Sequence, residues 1–286
     1  GVPALAAPAR ARARRPSTFT VYRWELRKLV SQKRTYLGMA LIVALPLIFV
    51  LVEGLRRHHD HGDSIFATQI TQSGLATPVL TLIFLAHFML PLAAVLVAGD
   101  IAANEDGNGT LKTILTRSVD RGQVLAAKAL AAFTYAMLVV FLSAVVASVA
   151  GIAWWGFHSL VSLSGTVVSA GEALALVFAS NALYLIPMAA VVSVGLLLSV
   201  ITRNSAAAVV ATLGVIILLD IISAIPGFEG ARPYLLTEQF EAWQGLLRTP
   251  IYWPPITHSV WVCALYAVPS LIVAYLVFLR RDVAGG

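Results

Sequence analysis

Six stretches of about twenty or more apolar residues, each nearly free of charge and separated by polar connections, decide most of what this chain can become. A helix rises about 1.5 Å per residue and a bilayer core is about 30 Å thick, so roughly 20 apolar residues cross it. The stretches are Thr35 to Leu55, Pro78 to Ala98, Val124 to Ala153, Ala173 to Thr202, Ala206 to Pro226 and Ser259 to Leu279. The third and fourth exceed the required length, so they are expected to tilt or reach into the headgroups, and Pro187 offers the fourth a kink. Continuous apolarity excludes a β-barrel, whose strands alternate. The expected fold is an all-α polytopic membrane protein: six transmembrane helices over residues 35–281, an interfacial amphipathic helix before them, and a short cytoplasmic coupling helix.

Composition narrows the function classes. With 59% hydrophobic and 12% charged residues among 286, the chain is far from the roughly 25% charged residues of a soluble domain, so a water-soluble enzyme is excluded. Its one cysteine, Cys263, cannot make an internal disulfide or a thiolate metal cluster. The net charge of +6 is spread between apolar blocks and forms no basic face, which points to anionic lipid headgroups and away from nucleic acid.

Basic residues flank cytoplasmic loops. With the amino terminus inside, Arg10, Arg12, Arg14, Arg15, Arg23, Arg27, Lys28, Lys33 and Arg34 precede the first span, and Lys112, Arg117, Arg121 and Lys128 lie in the second-to-third connection. With Arg203, Arg280 and Arg281, 16 of the 20 bases are inside, leaving Arg56, Arg57, Arg232 and Arg248 outside. Both termini are therefore expected in the cytoplasm, with the protein integral to a bacterial plasma membrane. Residues 1–15 contain no acid and little varied apolar surface, and read as a flexible basic tail; an organellar transit peptide is the minor reading. No cleavable secretory signal is expected, because the first apolar block is long enough to span. Within residues 16–34, Phe19, Tyr22, Leu26, Leu29 and Val30 fall at helical spacing, with Arg23, Arg27, Lys28, Lys33 and Arg34 largely opposite. That pattern predicts an interfacial helix, its stripe in the headgroup boundary; a basic flank that merely orients the first span is the alternative.

Polar groups inside the spans are few. His87, Asn181, Tyr184 and Asp220 are the candidates for a transport path, Asp220 above all, because an acid in an apolar helix should face the bundle or a water-filled cavity. The commoner use of a lone His or Asn is a helix-packing hydrogen bond. No HExxH, GxSxG or paired-acid arrangement is present, so neither catalytic nor metal-ligating residues are assigned. His58, His59, Asp60, His61 and Asp63 have the residue types of a metal site, but in a Gly-containing polar loop they are expected to be solvated. Trp154, Trp155, Phe157, Tyr252, Trp253 and Trp261 fall at outer span ends and read as interfacial anchors. The sequon Asn108-Gly109-Thr110 falls on the cytoplasmic side. Gly107 to Thr113 carries Leu111 where a phosphate loop needs glycine, so the chain is not expected to bind ATP itself.

The segment Asp100 to Lys128 has both length and pattern. Gly107 and Gly109 break the chain, Leu111, Ile114 and Leu115 then form one apolar stripe, and Asp120 with Gln123 makes a capping-box variant ahead of the third span. A striped helix this short is not stable alone and calls for a protein to dock on.

The run Asp100, Ala103, Glu105, Gly109-Thr110-Leu111-Lys112, then Leu115-Thr116-Arg117 and Val119 to Arg121 resembles the loop of ABC type-2 transporter permeases, D-x-x-S/A-x-E, G-T-L and L-x-R-P-V-x-R, with Ser118 in place of the usual proline. The six spans, the basic amphipathic start and the long fifth-to-sixth outer connection extend the resemblance over nearly the whole chain. It implies that Glu105, Gly109, Thr110, Leu111, Lys112, Ile114, Leu115, Arg117 and Arg121 couple the chain to a separate ATP-binding subunit, present twice, which holds ATP and Mg. It also implies a second permease subunit, as homodimer or heterodimer. That family moves antibiotics, peptides, lipids, glycans and ions. The expected function is thus a permease subunit exporting an amphiphilic small molecule, peptide or lipid, with no bond chemistry and no cofactor in this chain. Rival readings are an ion-coupled secondary transporter using His87 and Asp220 as relays, and an intramembrane enzyme.

Overall fold

The computed structural model describes residues 17–56, 73–107 and 120–280. Helix α1 (Thr18–Ser31) starts at Ser17, whose side chain accepts from the Thr20 amide, and ends at Gln32, where the backbone turns extended before α2 (Lys33–Arg56). Then follow α3 (Ala76–Ala86), α4 (Met89–Ala98), α5 (Asp100–Gly107), α6 (Arg121–Trp155), a two-stranded antiparallel hairpin (Leu160–Val161 with Val167–Val168), α7 (Ala170–Thr202), α8 (Ser205–Ala224), 3-10 turns at Arg232–Tyr234 and Thr237–Leu247, and α9 (Pro254–Leu279).

Polar residues placed one position before apolar runs set the long helices. Asp120, Ser169 and Asn204 each cap a first turn by accepting from a backbone amide of that turn. Gly156, at φ 84°, stops α6 in a conformation that favours glycine, and Arg203, at φ 55°, makes the tight turn from α7 into α8.

Among the described residues five helices, α2, α6, α7, α8 and α9, are long and apolar enough to cross a membrane, and α3 with α4 adds a sixth candidate bent by 59°. The second apolar stretch, expected as one continuous helix from Pro78 to Ala98, is therefore broken at His87-Phe88. The bent pair nonetheless runs the length of α6 antiparallel to it. At its start, the Gly74 amide bonds the Gly156 carbonyl at 3.1 Å, just past the end of α6; just beyond its end, the Ile101 carbonyl accepts from Lys128 at 2.9 Å, near the start of α6.

Helices α6 and α7 form the centre. Helix α6 packs on α1, α2, α3 and α4, and α7 packs on α9, α8 and α6. On α8 only Ala208, Thr212 and Ile216 are buried, a single seam at spacing four, while Val210, Leu218 and Ile221 are left exposed as apolar surface.

Where α3 begins, Gly74 and Gly151 bring two backbones into direct contact: a Cβ on either would strike the other's backbone, and at Gly151 also Thr77. Gly151→Val is expected to destabilise the protein by about 1–3 kcal/mol through overpacking, read as a lower melting temperature in detergent.

Candidate functional site

The break in the second apolar stretch follows from Pro91. Proline has no amide hydrogen, and its ring collides with the carbonyl four residues back, which is that of His87. Phe88 accordingly leaves helical geometry, at φ −136° and ψ −53°. Pro187, the kink expected from sequence, lies within an unbroken α7. The end of α3 is held by the buried Tyr184 hydroxyl, which donates to the Ala86 carbonyl at 2.5 Å.

At this break the structure brings three of the four transport-path candidates together. His87 Nδ1 lies 3.6 Å from Asp220 Oδ1 on α8, and its Nε2 lies 3.3 Å from Glu241 Oε1 on the connection between α8 and α9. Phe240 sets its ring against both His87 and Tyr184, with centroids 5.7 and 6.0 Å away. Asn181 stays out of the cluster: it is buried and its amide donates to the Val177 carbonyl one turn back, at 2.9 Å. Asp220 is fifteen residues into α8, about 22 Å along the helix from Ser205. An imidazole between two carboxylates can carry a proton or yield a carboxylate to a competing cation. Among the described residues no group of three or more His, Cys, Asp or Glu is arranged to hold a metal ion. The His58 to Asp63 cluster lies outside the described residues.

Glu241 was not singled out from sequence. Its segment, Thr237–Leu247, is a 3-10 helix in which every third residue shares a face. Thr237, Phe240 and Trp243 are buried while Glu238 and Glu241 are exposed. This three-residue alternation of polar and aromatic positions is the signal that would have revealed it. The connection is folded on itself by Gln239, whose Nε2 donates to the carbonyls of Pro233 (2.8 Å) and Leu235 (3.0 Å), and is pinned to α9 by the Tyr266 hydroxyl, which donates to the Tyr234 carbonyl at 3.1 Å. The bond from His87 holds the Glu241 carboxyl below its ordinary range, so it is ionised at neutral pH. The contact is present above the ordinary Glu range and is lost as pH falls through the lowered value.

The opposite end of the bundle is held by a second polar network. Lys128 is fully buried and donates to Glu25 at 3.0 Å and to the Ile101 carbonyl at 2.9 Å. Arg34 donates to Asp100 at 2.5 Å and to Ser205 at 2.6 Å. The Ser199 hydroxyl accepts from the Ala102 and Ala103 amides, at 3.3 and 3.0 Å, and Arg121 donates to the Leu279 carbonyl at 2.8 Å. Lys128, counted from sequence among the bases of the second-to-third connection, instead lies on α6 and faces the protein, where Glu25 on α1 supplies the opposite charge. On α1 the buried line is Val21, Glu25 and Leu29, while Phe19 and Val30 of the expected stripe are exposed. Trp155 likewise is buried, whereas Trp154, Phe157, Tyr252, Trp253 and Trp261 are exposed.

Of the coupling residues, Arg121 opens α6 and Glu105 belongs to α5, its side chain outside the described part. Gly109, Thr110, Leu111, Lys112, Ile114, Leu115 and Arg117 lie outside the described residues.

A protein from Bacillus subtilis (strain 168), "Uncharacterized protein YhcI", is 24% identical over 205 residues. The match takes in 68% of this chain and 64% of that relative, less than two thirds of its length. Residues 39–284, which take in most of α2 and all later helices, match the family described as "Protein of unknown function (DUF2705)", and the chain belongs to that family.

Proposed function

We propose that the chain is the membrane-spanning permease subunit of a transporter driven by a separate ATP-binding subunit, exporting an amphiphilic small molecule, peptide or lipid. The observation that supports this most directly is the way the ends of the 108–119 connection are anchored. Helices α5 and α6 flank it, and the polar network there ties them to α1 through Glu25, to α2 through Arg34, to α7 through Ser199 and to α9 through Leu279, while Arg34 also donates to Ser205 at the start of α8. A push on this connection would pass to these helices through short polar contacts. Under this reading the bundle has six spans with both termini in the cytoplasm, two copies of the ATP-binding subunit hold ATP and Mg, and a second permease subunit completes the path.

The test is isolation of the tagged chain from its native membranes in mild detergent. The expected result is a co-eluting ATP-binding subunit in near-equal amount, with ATPase activity, and crosslinking of that subunit to a cysteine placed at Ile114. A chain that elutes alone and transports without ATP overturns the proposal.

The His87, Asp220 and Glu241 cluster favours a second reading, an ion-coupled secondary transporter. Asp220→Asn separates the two. In proteoliposomes an ATP-driven permease keeps its ATP dependence, with flux altered, whereas an ion-coupled carrier loses gradient-driven flux.

Orientation has its own check. With Cys263, which is buried, replaced by Ser, a cysteine at exposed Glu229 should react with an impermeant thiol reagent in intact cells, and one at Thr113 only after permeabilisation. The reverse pattern would place both termini outside.

A further inference from the structure

Glu238 and Glu241 are one 3-10 turn apart, where side chains at i and i+3 eclipse, so both carboxylates face the side away from buried Phe240 and Trp243. On that side lies a cleft of about 510 Å³, walled by Pro233, Pro254, Pro255 and Tyr252, with Arg248 and His258 also lining it. The volume is within the range of small-molecule sites, roughly 300–1,000 Å³. The charges in the wall do not cancel. The His258 Nε2 donates to the Pro233 carbonyl at 2.8 Å, and the Arg248 guanidinium lies over the Tyr252 ring, 5.6 Å from its centroid. Two carboxylates against one guanidinium leave one negative charge.

Neither carboxylate is locked inside the wall. Glu238 accepts from the Ser223 hydroxyl in the last turn of α8, and Glu241 is shared with His87 at the helix break. Both are solvent-exposed, so a ligand can reach them without unfolding the segment. Prolines and a tyrosine supply a rigid apolar face beside the charge, which suits a molecule with an apolar body and one positive group.

We propose that this cleft binds a monocationic amphiphile, its ammonium between Glu238 and Glu241 and its apolar body against Pro254, Pro255 and Tyr252. The inference rests on the transport reading, for which it names the chemical class of the cargo. Because Glu241 is shared, an ammonium that takes its carboxylate competes with His87, so occupancy of the cleft is linked to the contact at the helix break.

The test uses the full-length protein in nanodiscs and benzyltrimethylammonium as probe, with benzoate and benzyl alcohol as anionic and neutral controls, read by equilibrium dialysis. Saturable binding of the cation alone is expected, weakened about tenfold or more by Glu238→Gln and by Glu241→Gln. Arg248→Ala, which removes a like charge, and His87→Ala, which frees Glu241, should each tighten it about three- to tenfold. Benzoate binding as tightly as the cation, no saturable cation binding, or unchanged affinity in both Gln variants overturns the proposal; unchanged or weaker affinity in His87→Ala overturns the link to the helix break. If Glu241→Gln fails to fold, Glu238→Gln and Arg248→Ala, both at exposed positions, carry the test. Since no ATP is involved, a protein that binds the cation but recruits no ATPase overturns only the driven-permease reading, and the converse overturns only the cleft.

Discussion

Lys128→Ala is expected to destabilise the protein by about 3–5 kcal/mol, because it strands the Glu25 carboxylate in the bundle with its charge uncompensated. Glu25 is 5% exposed and Lys128 fully enclosed, so water replaces little of the lost partner. The same ammonium also holds the Ile101 carbonyl, so the first turn of α5 loosens along with α1. The measurement is unfolding in mixed detergent micelles, or the melting temperature in a mild detergent. Glu25→Leu combined with Lys128→Met should recover most of the loss, since well-packed apolar side chains often replace a buried ion pair without penalty. Equal destabilisation by the double variant would mean that the geometry of the pair, and not relief of a stranded charge, holds α1 on α6.

The second large effect is functional. Under the proposed driven-permease reading, Leu111→Asp or Ile114→Asp should abolish transport and substrate-stimulated ATP hydrolysis while leaving insertion intact. An apolar side chain contributes roughly 1.5–3 kcal/mol when buried in a docked groove, and a carboxylate there adds a desolvation cost of several kcal/mol. A docking stripe of three such side chains, Leu111, Ile114 and Leu115, would have no reserve against a loss of that size. Lys112, Arg117 and Arg121 would flank the stripe and steer an acidic rim, so their replacement should slow association more than it weakens the complex. Co-purification of the ATP-binding subunit with each variant is the measurement. Retention of both the subunit and its stimulated activity would place the docking surface elsewhere.

Hydropathy alone placed the long helices to within a few residues, because runs such as Val124 to Ala153 are continuously apolar and begin after capping residues such as Asp120. It did not show the break at His87, since Pro91 sits inside a stretch whose hydropathy never falls and Pro187 sits in another with the same appearance. What separates them is tertiary: at the break the freed groups find Tyr184, Asp220 and Glu241. Charge counting was blind in the same way to Lys128, because a buried ion pair and a loop base look alike until Glu25 is known to face it across α1 and α6. Three members of the cluster at the break were legible as isolated polar residues in apolar helices. Glu241 was not, because it lies in a connection that looks irregular at the periods of three and a half and two.

The bent pair also has a mechanical meaning. A straight rod tilts as one piece, but α3 and α4 are two arms of roughly 16 and 15 Å, bent by 59° at the break between them. A rotation of about 10° of one arm about the joint carries its far tip only about 3 Å, by the lever arithmetic of a rod that rises 1.5 Å per residue. That is less than one side-chain width, so a hinge movement of this size would have to be absorbed by the contacts at the joint. Those contacts are the Tyr184 hydroxyl on one arm's end and the two carboxylates on His87, and each brace belongs to a different part of the chain. The elbow is thus braced from three places, α7, α8 and the connection between α8 and α9.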